Sequence, residues 1–351
     1  MRAYADLLMQ AMSRHAPDVD LHLVELEPEL PGGALARRWR TISLPLRAWR
    51  QRRLSPDVWH VLDASRAYVA PALGSSPIVI TAHDIIPWLQ HGGRFAGVPR
   101  LGIAARCLWR ENARALRNAT TVLCVSSSTA NDVQSAFGVR QERCRVASMS
   151  LNVSMSEQLA KRGAEQREAA TLLHVGNAGF YKNRAGVLRV FALVAGRCHG
   201  ARLIMAGPEP GHALLELARN LGVADSVHWR IDPGDEELAQ CYRRASVMVF
   251  PSLYEGFGWP VLEAMSFGLP LVTSSAGSLP EVVGESAACF DPANELGMAE
   301  AVVGLLASPE AYAAAVERGL ARARAFSETA FAGVVRDAYL AAAGRTEKRT
   351  T

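Results

Sequence analysis

Two glutamates lie on either side of a glycine-rich turn in the second half of the chain. The run is PSLYEGFGWPVLEAM, with Glu255 before the turn and Glu263 eight residues later. Pro260 falls where a helix would begin, because the first helical turn does not need the N–H that proline lacks. Backbone N–H groups at such a helix start bind anions such as phosphate. The run therefore predicts a phosphate site between two carboxylates. The alternative is two surface glutamates beside an ordinary turn.

Two other polar segments each follow a candidate strand. His83 and Asp84 come after the apolar residues 78–81, and Lys182 follows residues 171–175 in the segment HVGNAGFYKN. A lysine beside a phosphate neutralises its charge, and an imidazole near neutral pH binds a hydroxyl or accepts a proton. The alternatives are a structural histidine and a surface lysine ahead of a helix.

Metal ligands are not grouped as a metal site requires. The pair Asp18-Val-Asp20 matches the DxD pattern that holds a divalent cation, but it falls in a polar turn and not at a strand end. The cysteines stand singly, without a CxxC pair or a short Cys/His spacing. They are Cys107, Cys124, Cys144, Cys198, Cys241 and Cys289. We therefore expect no metal and no other cofactor, and we expect reduced cysteines in a cytoplasmic protein.

Length and composition narrow the class of protein. A chain of 351 residues is long enough for about two domains. With 49% apolar and 21% charged residues it has the composition of a folded globular protein. A net charge of +4 is too small to indicate a nucleic-acid partner. The chain has neither an apolar run of about 18 residues nor the order of a signal peptide, so we expect no membrane span and no export.

Short apolar runs alternate with helical patterns, which is typical of βα units and parallel sheets. The predicted strands of the first half are residues 21–26, 58–62, 78–81, 121–125 and 145–147, with a helix at 101–118. Those of the second half are residues 171–175, 201–206, 227–229, 246–251 and 270–273, with helices at 183–197, 213–221, 235–244 and 259–266. The pattern predicts an α/β fold, with a doubly wound sheet in the second half.

The polar stretch 154–170 predicts a connector between two domains. We assign residues 1–160 to a first Rossmann-like domain and residues 161–325 to a second. Residues 326–351 form a final helix that we expect to pack back against the first domain. Ligands of such sheets bind at the carboxyl ends of the strands, where His83, Lys182 and Glu255 fall.

The run EGFGWPVLE resembles the E-x7-E motif of retaining GT-B glycosyltransferases, in particular those of family 4. Further segments occur in the order that the family has: TAHDIIP, VSSSTANDV, HVGNAGFYKN, the AGP after a strand, and GLPLVTS followed by GSLPE. The resemblance covers nearly the whole chain and is strongest over residues 171–292. It implies two Rossmann-like domains that face each other across a cleft, and a nucleotide-diphosphate sugar as donor substrate.

The resemblance also implies roles for individual residues. Glu255 would contact hydroxyls of the donor sugar, and Glu263 would hold the two ribose hydroxyls. Lys182 would neutralise the diphosphate leaving group, and His83 would face the donor sugar and the acceptor. The donor-binding backbone and side chains would comprise Asn177, Lys182, Gly256, Phe257, Gly258, Trp259 and Glu263. No metal is implied, because a lysine and a helix N-terminus supply the positive charge.

Two departures from the family pattern affect these expectations. Asn177 stands where many relatives have an arginine, so the diphosphate would depend more on Lys182 or on another arginine such as Arg184. The chain also opens inside a helix, with Arg2 and Tyr4 near where the family's first strand and glycine-rich loop lead on. We therefore expect that this strand and loop are missing. Either the sequence is an incomplete reading of a longer protein, or the protein is a degraded and inactive member of the family.

The leading hypothesis is a retaining, metal-independent hexosyltransferase that builds a surface polysaccharide on a glycan or lipid-linked acceptor. The HD and I-P residues of TAHDIIP favour mannose from GDP-mannose, with UDP-sugars and dTDP-rhamnose left open.

Arginines between residues 37 and 53 predict contact with anionic lipid at the inner face of the cell membrane, or else a solvated helix face. They are Arg37, Arg38, Arg40, Arg47, Arg50, Arg52 and Arg53. One alternative is a non-catalytic GT-B subunit. Another is a sugar-nucleotide epimerase of the same fold, which is disfavoured because E-x7-E is not the signature of such epimerases.

Overall fold

A computed structural model describes residues 2–26, 34–161 and 167–344, and the side chains of residues 34–40 are left aside. The chain divides into two compact units. The first takes in the described residues of Met1–Ser148 and Glu328–Thr351, and the second is Met149–Ser327.

The first unit is built on a four-stranded parallel sheet. Its helices are α1 (Arg2–His15), α2 (Ala34–Gln51), α3 (Ile86–His91), α4 (Ile103–Asn118) and α5 (Ser127–Phe137). Its strands are β1 (Trp59–Val61), β2 (Ile78–Ala82), β3 (Thr121–Cys124) and β4 (Cys144–Val146), in the order β1-β2-β3-β4. The middle strands are buried on both faces, as expected for a parallel sheet covered by helices. Ile80, Leu116 and Val122 lie in its core.

The predicted strand at residues 21–26 is wrong. The structure shows irregular backbone there, and Leu23 is exposed. Alternating apolar residues suit a strand only when a neighbouring strand accepts their backbone hydrogen bonds. The sheet of the described first unit begins instead at β1.

The second unit contains a six-stranded parallel sheet. Its strands are β5 (Thr171–Val175), β6 (Arg202–Gly207), β7 (Val227–Ile231), β8 (Val247–Phe250), β9 (Leu271–Ser274) and β10 (Ala288–Phe290), in the order β10-β9-β8-β5-β6-β7. Its helices are α6 (Val153–Ala160), α7 (Arg184–Ala195), α8 (His212–Asn220), α9 (Asp235–Arg244), α10 (Trp259–Ser266), α11 (Leu279–Val283), α12 (Glu295–Ala307) and α13 (Pro309–Ala323). This is the doubly wound sheet that the sequence predicts. The edge strand β10 was not predicted.

Helix α6 belongs to the second unit, although the sequence analysis assigned its residues to the first domain. It packs on α9, where the Ser154 hydroxyl donates a hydrogen bond of 2.6 Å to Asp235. The last helix, α14 (Glu328–Ala342), belongs to the first unit. There Gln10 donates to Glu328, and the Arg336 guanidinium binds Asp18 at 2.9 Å. Asp18 of the DxD pair is therefore engaged in an ion pair at the surface.

No single helix among the described residues is long and apolar enough to cross a bilayer. The helical segments Glu295–Ala307 and Pro309–Ala342 together have the length and composition of a membrane span, but the chain bends by 106° between them.

Candidate functional site

The strand order of the second sheet reverses between β5 and β8, and such a reversal is where doubly wound sheets form a binding crevice. The chain runs outward from β5 through β6 and β7, and then returns to β8 on the other side of β5. Leu172 of β5 accordingly lies opposite Leu203 on one side and Val247 on the other. The loops after β5 and β8 diverge at this reversal, and ligands of doubly wound sheets bind between such loops.

A buried ion pair joins these two loops. Lys182 ends the helical turn Phe180–Lys182 after β5, and its Nζ lies 2.8 Å from Oε1 of Glu255 in the loop after β8. Both side chains are buried, and a charge removed from water is stable only when it is paired. The Phe250 ring lies 5.0 Å from Nζ. The structure thus brings together the predicted lysine and the first predicted glutamate, and the ammonium has two N–H donors besides the one that binds Glu255.

Hydrogen bonds between the loops hold this pair in place. The backbone N–H of Leu253 donates to the carbonyl of Tyr181 at 2.7 Å. The side-chain amide of Asn183 donates to the carbonyl of Pro251 at 2.9 Å. Lys182 lies between Tyr181 and Asn183 in the chain, so both contacts restrict where its ammonium can be.

The loop after β9 supports Glu255 from the other side. Gly277 has a φ of +60°, and a Cβ there would clash with the backbone of Glu255. The Ser278 hydroxyl donates to the Glu255 carbonyl at 3.1 Å. The glycine of the GSLPE segment is therefore required both by its left-handed backbone and by the close approach of the two loops.

The glycine-rich turn leads directly into α10. Gly258 has a φ of +92° and precedes the helix, Pro260 lies in the first turn, and no side chain caps that turn. The Phe257 ring is buried against Phe326, with ring centroids 5.6 Å apart. The indole N–H of Trp259 donates to the carbonyl of Ser150. The rings thus face the protein, and a helix start of this kind carries partial positive charge.

Glu263 is buried on α10 with both carboxylate oxygens engaged. The hydroxyl of Tyr242 donates to Oε2 at 2.6 Å, and the amide of Asn152 donates to Oε1 at 3.1 Å. Burial raises the pKa of Glu263 to about 7, with a smaller upward contribution from Asp235, while the Tyr242 hydrogen bond and the charge of Lys182 oppose the rise. Near neutral pH this carboxyl group therefore exchanges between its protonated and ionised forms.

Asn177 is exposed and its amide completes a turn. Its Oδ1 accepts the backbone N–H of Gly179 at 2.8 Å, and its Nδ2 donates to the hydroxyl of Tyr181 at 2.9 Å. Asn177 thus lies in the loop that carries Lys182, and it adds no charge there.

His174 lies beneath this loop and was not among the predicted site residues. Its Nδ1–H donates to the carbonyl of Val249, and burial lowers the pKa of His174 to about 3. A Cβ on Gly176 would come within 3.0 Å of Nε2 and within 3.3 Å of the Lys182 chain. Glycine at position 176 therefore lets the neutral histidine and the lysine pack against the backbone.

His83 lies in the first unit, directly after β2. Its Nε2–H donates to the carbonyl of Leu62 at 3.0 Å, which leaves Nδ1 as the acceptor of the neutral ring. Tyr4 packs edge-on against the ring at a centroid distance of 4.5 Å. Burial lowers the pKa of His83, and the Asp63 carboxylate opposes this effect. Asp84 instead accepts the backbone N–H of Ile86, the first residue of α3, at 2.9 Å.

Tyr242 and Asn152, the partners of Glu263, were also missed by the sequence analysis. They are separated from Glu263 by 21 and 111 residues, so no local spacing connects them. The phenol of Tyr242 provides a weak signal, because a buried tyrosine hydroxyl usually finds a hydrogen-bond partner.

Histidine, cysteine, aspartate and glutamate side chains in the described ranges form no group of three that could hold a metal ion.

Solved structures with the same fold are glycosyltransferases of the GT-B class. The structure matches sucrose-phosphate synthase from Thermosynechococcus elongatus with a TM-score of 0.74 and 19% identity, over 94% of this chain and 90% of that one. It matches WaaG, a glycosyltransferase involved in lipopolysaccharide biosynthesis, with a TM-score of 0.71 and 16% identity, over 96% and 94% of the two chains. The fold of the chain is therefore GT-B.

Two models of protein families match the chain, one in each half. One described as glycosyltransferase family 4 matches residues 7–154, and one described as glycosyl transferases group 1 matches residues 155–322. Together they cover most of the chain, which belongs to the family 4 glycosyltransferases.

Curated relatives include two mannosyltransferases. The chain is 32% identical over 177 residues to an MMP α-(1→4)-mannosyltransferase of Mycolicibacterium hassiacum, which is 50% of this chain and 42% of that protein. It is 44% identical over 93 residues to the O-antigen chain mannosyltransferase B of Escherichia coli, which is 26% of this chain and 24% of that protein. The match thus spans less than half the length of each relative.

Proposed function

We propose that the protein is a retaining hexosyltransferase that moves mannose from GDP-mannose to a glycan or lipid-linked acceptor in surface polysaccharide synthesis. The observation that carries the proposal is the buried pair of Lys182 and Glu255 at the reversal of the sheet, with the buried Glu263 on the helix that follows. The names of the two mannosyltransferase relatives support the choice of sugar. We place the reaction at the cytoplasmic face of the cell membrane.

The diphosphate would bind between Lys182 and the start of α10. The ammonium directs one N–H at Glu255 and offers the others to phosphate oxygens. The start of α10, which follows Gly258 and has no side-chain cap, adds partial positive charge. Because negative charge on the diphosphate grows as the glycosidic bond breaks, these groups stabilise the transition state more than the bound donor. A lysine and a helix start thus supply the charge that a metal supplies in other transferases.

Glu263 would bind the ribose and Glu255 the sugar. A carboxylate is a good acceptor for two neighbouring hydroxyls, because each oxygen has two lone-pair sites. Tyr242 and Asn152 occupy one site on each oxygen of Glu263 and leave the other sites for the ribose. Glu255 is tied to Lys182 through Oε1, so its Oε2 is the atom that would accept a hydroxyl of the transferred hexose.

The transfer would proceed on one face of the sugar. The C1–O bond to the diphosphate breaks and its electron pair goes to the leaving oxygen, while an acceptor hydroxyl forms the new C1–O bond from the same side. The acceptor proton passes to a diphosphate oxygen, so no enzyme nucleophile is needed. His83 would bind a hydroxyl of the sugar or the acceptor through Nδ1, the ring nitrogen that lacks a proton.

A panel of nucleotide sugars tests this proposal. The purified protein is incubated separately with GDP-mannose, UDP-sugars and dTDP-rhamnose, and release of the nucleoside diphosphate is measured with and without EDTA. We expect slow turnover of GDP-mannose, with water as the acceptor, that EDTA does not abolish, and an α-linked product by NMR when a simple mannoside is added as acceptor. Turnover of a different donor would overturn the assignment of mannose, and loss of activity in EDTA that manganese restores would overturn the metal-independent mechanism. Binding without any turnover would indicate a non-catalytic subunit.

A further inference from the structure

Helix α2 of the first unit has apolar side chains on two opposite sides. Leu44 and Ala48 are 2% and 0% exposed and pack into the core of the unit. On the other side Ile42, Leu46 and Trp49 are 72%, 53% and 43% exposed. A helix at the surface of a globular protein normally turns its polar side to water, so the exposed apolar side of α2 is an exception.

The exposed residues form one continuous stripe. The spacing i, i+4 and i+7 places Ile42, Leu46 and Trp49 within about 60° of the helix circumference, nearly opposite Leu44. Leu54, in the helical turn that follows α2, is also 61% exposed. We call Ile42, Leu46, Trp49 and Leu54 the α2 stripe. Neighbouring large apolar side chains left in water on a folded protein indicate a site of interaction.

Positive charge is concentrated around the α2 stripe. The sequence from residue 30 to residue 56 contains seven arginines and no acidic residue, although the whole chain carries only +4. The rest of the chain is therefore net acidic. Arg50, Arg52 and Arg53 are exposed, and the Arg52 guanidinium lies over the Trp49 ring at 4.4 Å from its centroid. The side chains of Arg37, Arg38 and Arg40 lie outside the described part of the structure.

The combination of charge and apolar surface selects the kind of partner. A second copy of this chain would bring the same arginines against each other, so like charges oppose self-association through α2. Nucleic acid would use the arginines but would leave the large apolar side chains in water. A bilayer with anionic lipids has phosphates at its surface and acyl chains below them, which matches arginines beside an apolar stripe.

We propose that α2 lies in the interface of an anionic bilayer, with the α2 stripe among the upper acyl chains and the neighbouring arginines at lipid phosphates. This contact is separate from the donor site of the second unit. It would hold the first unit at a membrane regardless of which sugar the protein transfers.

Vesicle flotation tests the contact without relying on activity. The full chain is mixed with vesicles of phosphatidylcholine alone or of phosphatidylcholine with phosphatidylglycerol. We expect binding to the anionic vesicles and little to the neutral ones. The variant Ile42→Ser/Leu46→Ser/Trp49→Ser should bind the anionic vesicles about 100-fold more weakly, because the apolar side chains no longer enter the acyl region. The changed residues are exposed, so the variant should fold, which circular dichroism checks.

Two further variants separate the apolar part from the charged part. Arg50→Ala/Arg52→Ala/Arg53→Ala should weaken binding by about fivefold for each arginine, and only on anionic vesicles. The control Ile103→Ser/Leu296→Ser removes exposed apolar side chains elsewhere and should bind like the wild type. Brominated lipid should quench part of the tryptophan fluorescence of the wild type, because Trp49 would lie in the acyl region. The Trp49→Phe variant should lose this quenched part of the emission.

Several results would overturn the proposal. Equal binding to neutral and anionic vesicles would remove the role of the arginines. Unchanged binding by the serine variant, or an equal loss by the control variant, would remove the α2 stripe as the contact. A dimer in solution that the serine variant dissociates would identify a second copy as the occupant instead of a bilayer.

Discussion

The two units place different kinds of polar group at the ends of their parallel sheets. In the second unit the groups are ionic, with the ammonium of Lys182 against the carboxylate of Glu255. In the first unit a buried network is neutral. His60 bonds to the Tyr339 hydroxyl at 2.6 Å and to the Thr81 hydroxyl at 2.7 Å, and Thr81 bonds to Tyr4 at 3.0 Å.

The difference follows from burial acting on different groups. Burial lowers the pKa of His60 to about 3 and raises the pKa of Tyr4, so both side chains are uncharged at neutral pH. An isolated charge in the same surroundings would cost several kcal/mol, which the second unit avoids by pairing Lys182 with Glu255. A cation such as Lys182 suits a diphosphate, whereas the hydroxyls of Tyr4, Thr81 and Tyr339 are buried and hydrogen-bonded within the network, which holds together the elements that carry them. Two parallel sheets thus bury either paired ions or uncharged hydrogen-bonded groups, according to a few side chains at their strands.

The largest effect is expected at the ion pair. Lys182→Ala should lower kcat by about 10²- to 10³-fold, because the growing charge on the leaving group loses its cation. Donor affinity should change much less, because the bound donor needs the cation less than the transition state does. Single-turnover kinetics with saturating donor measure the first quantity and calorimetry the second. A kcat within about twofold of the wild type would show that Lys182 does not contact the diphosphate.

A double variant separates stability from catalysis at the same pair. Lys182→Ala leaves Glu255 buried without a partner, which should cost about 3–5 kcal/mol in urea unfolding. Lys182→Ala/Glu255→Gln removes both charges and should regain most of that stability without regaining kcat. Recovery of both quantities together would show that the lysine acts only through folding.

A smaller effect is expected from the first unit. His83→Ala should lower transfer by about 10²-fold, because a positioned imidazole contributes about this much to proton transfer or hydroxyl binding. Nucleotide affinity should stay as it is, because the nucleotide site that we propose lies in the second unit. His22→Ala, at an exposed histidine of the same unit, serves as the control. Loss of nucleotide affinity in His83→Ala would contradict this division of tasks between the units.

The pH dependence of Glu263 should separate stability from binding. Its pKa rises from 4.5 to about 7 in the folded protein, so the folded state holds a proton that the unfolded state releases. The free energy of unfolding should therefore fall by up to about 3 kcal/mol as the pH rises from about 4.5 to about 7. Glu263→Gln should lack this change. The two unfolding series, measured in urea, give the difference, and parallel profiles would exclude a raised pKa.

Donor affinity should follow the opposite trend. The ribose hydroxyls need the ionised carboxylate as acceptor, so affinity should increase up to about tenfold per pH unit below pH 7 and then level off. Tyr242→Phe removes a hydrogen bond that lowers the pKa of Glu263, and it should move this transition to higher pH. Calorimetry across the pH range measures both curves. An affinity that is independent of pH would remove Glu263 from the nucleotide site.

The sequence predicted those features of the site that depend on neighbouring residues. The glycine-rich turn, the proline in the first turn of α10 and the lysine after β5 are local, because turn and helix-start chemistry involves only a few consecutive residues. The pairing of Lys182 with Glu255 joins residues 73 apart, and Asn152 reaches Glu263 across 111 residues. Such contacts depend on how the strands are ordered, and one sequence does not show that order directly.

The same distinction explains the incorrect strand and the missing one. Residues 21–26 have an alternating pattern but no neighbouring strand to pair with in the described structure. The three residues of β10 are too short to show a pattern, yet they pair with β9. Strand pairing is a property of two segments, so periodicity within one segment can mislead in either direction.

The smallest effect is expected where the chain departs from its family. Asn177→Arg should strengthen donor binding by about fivefold, because an exposed arginine beside the Lys182 loop adds about 1 kcal/mol of attraction to a diphosphate. It should also lower stability by about 1 kcal/mol, because the Gly179 N–H loses its side-chain acceptor. The control Asn220→Arg adds the same charge at the exposed end of α8. An equal gain in both variants would indicate general attraction of an anion, and a gain at position 177 alone would place the diphosphate next to this loop. Unchanged affinity in Asn177→Arg would place the diphosphate farther away and would leave Lys182 as the cation that the second unit offers there.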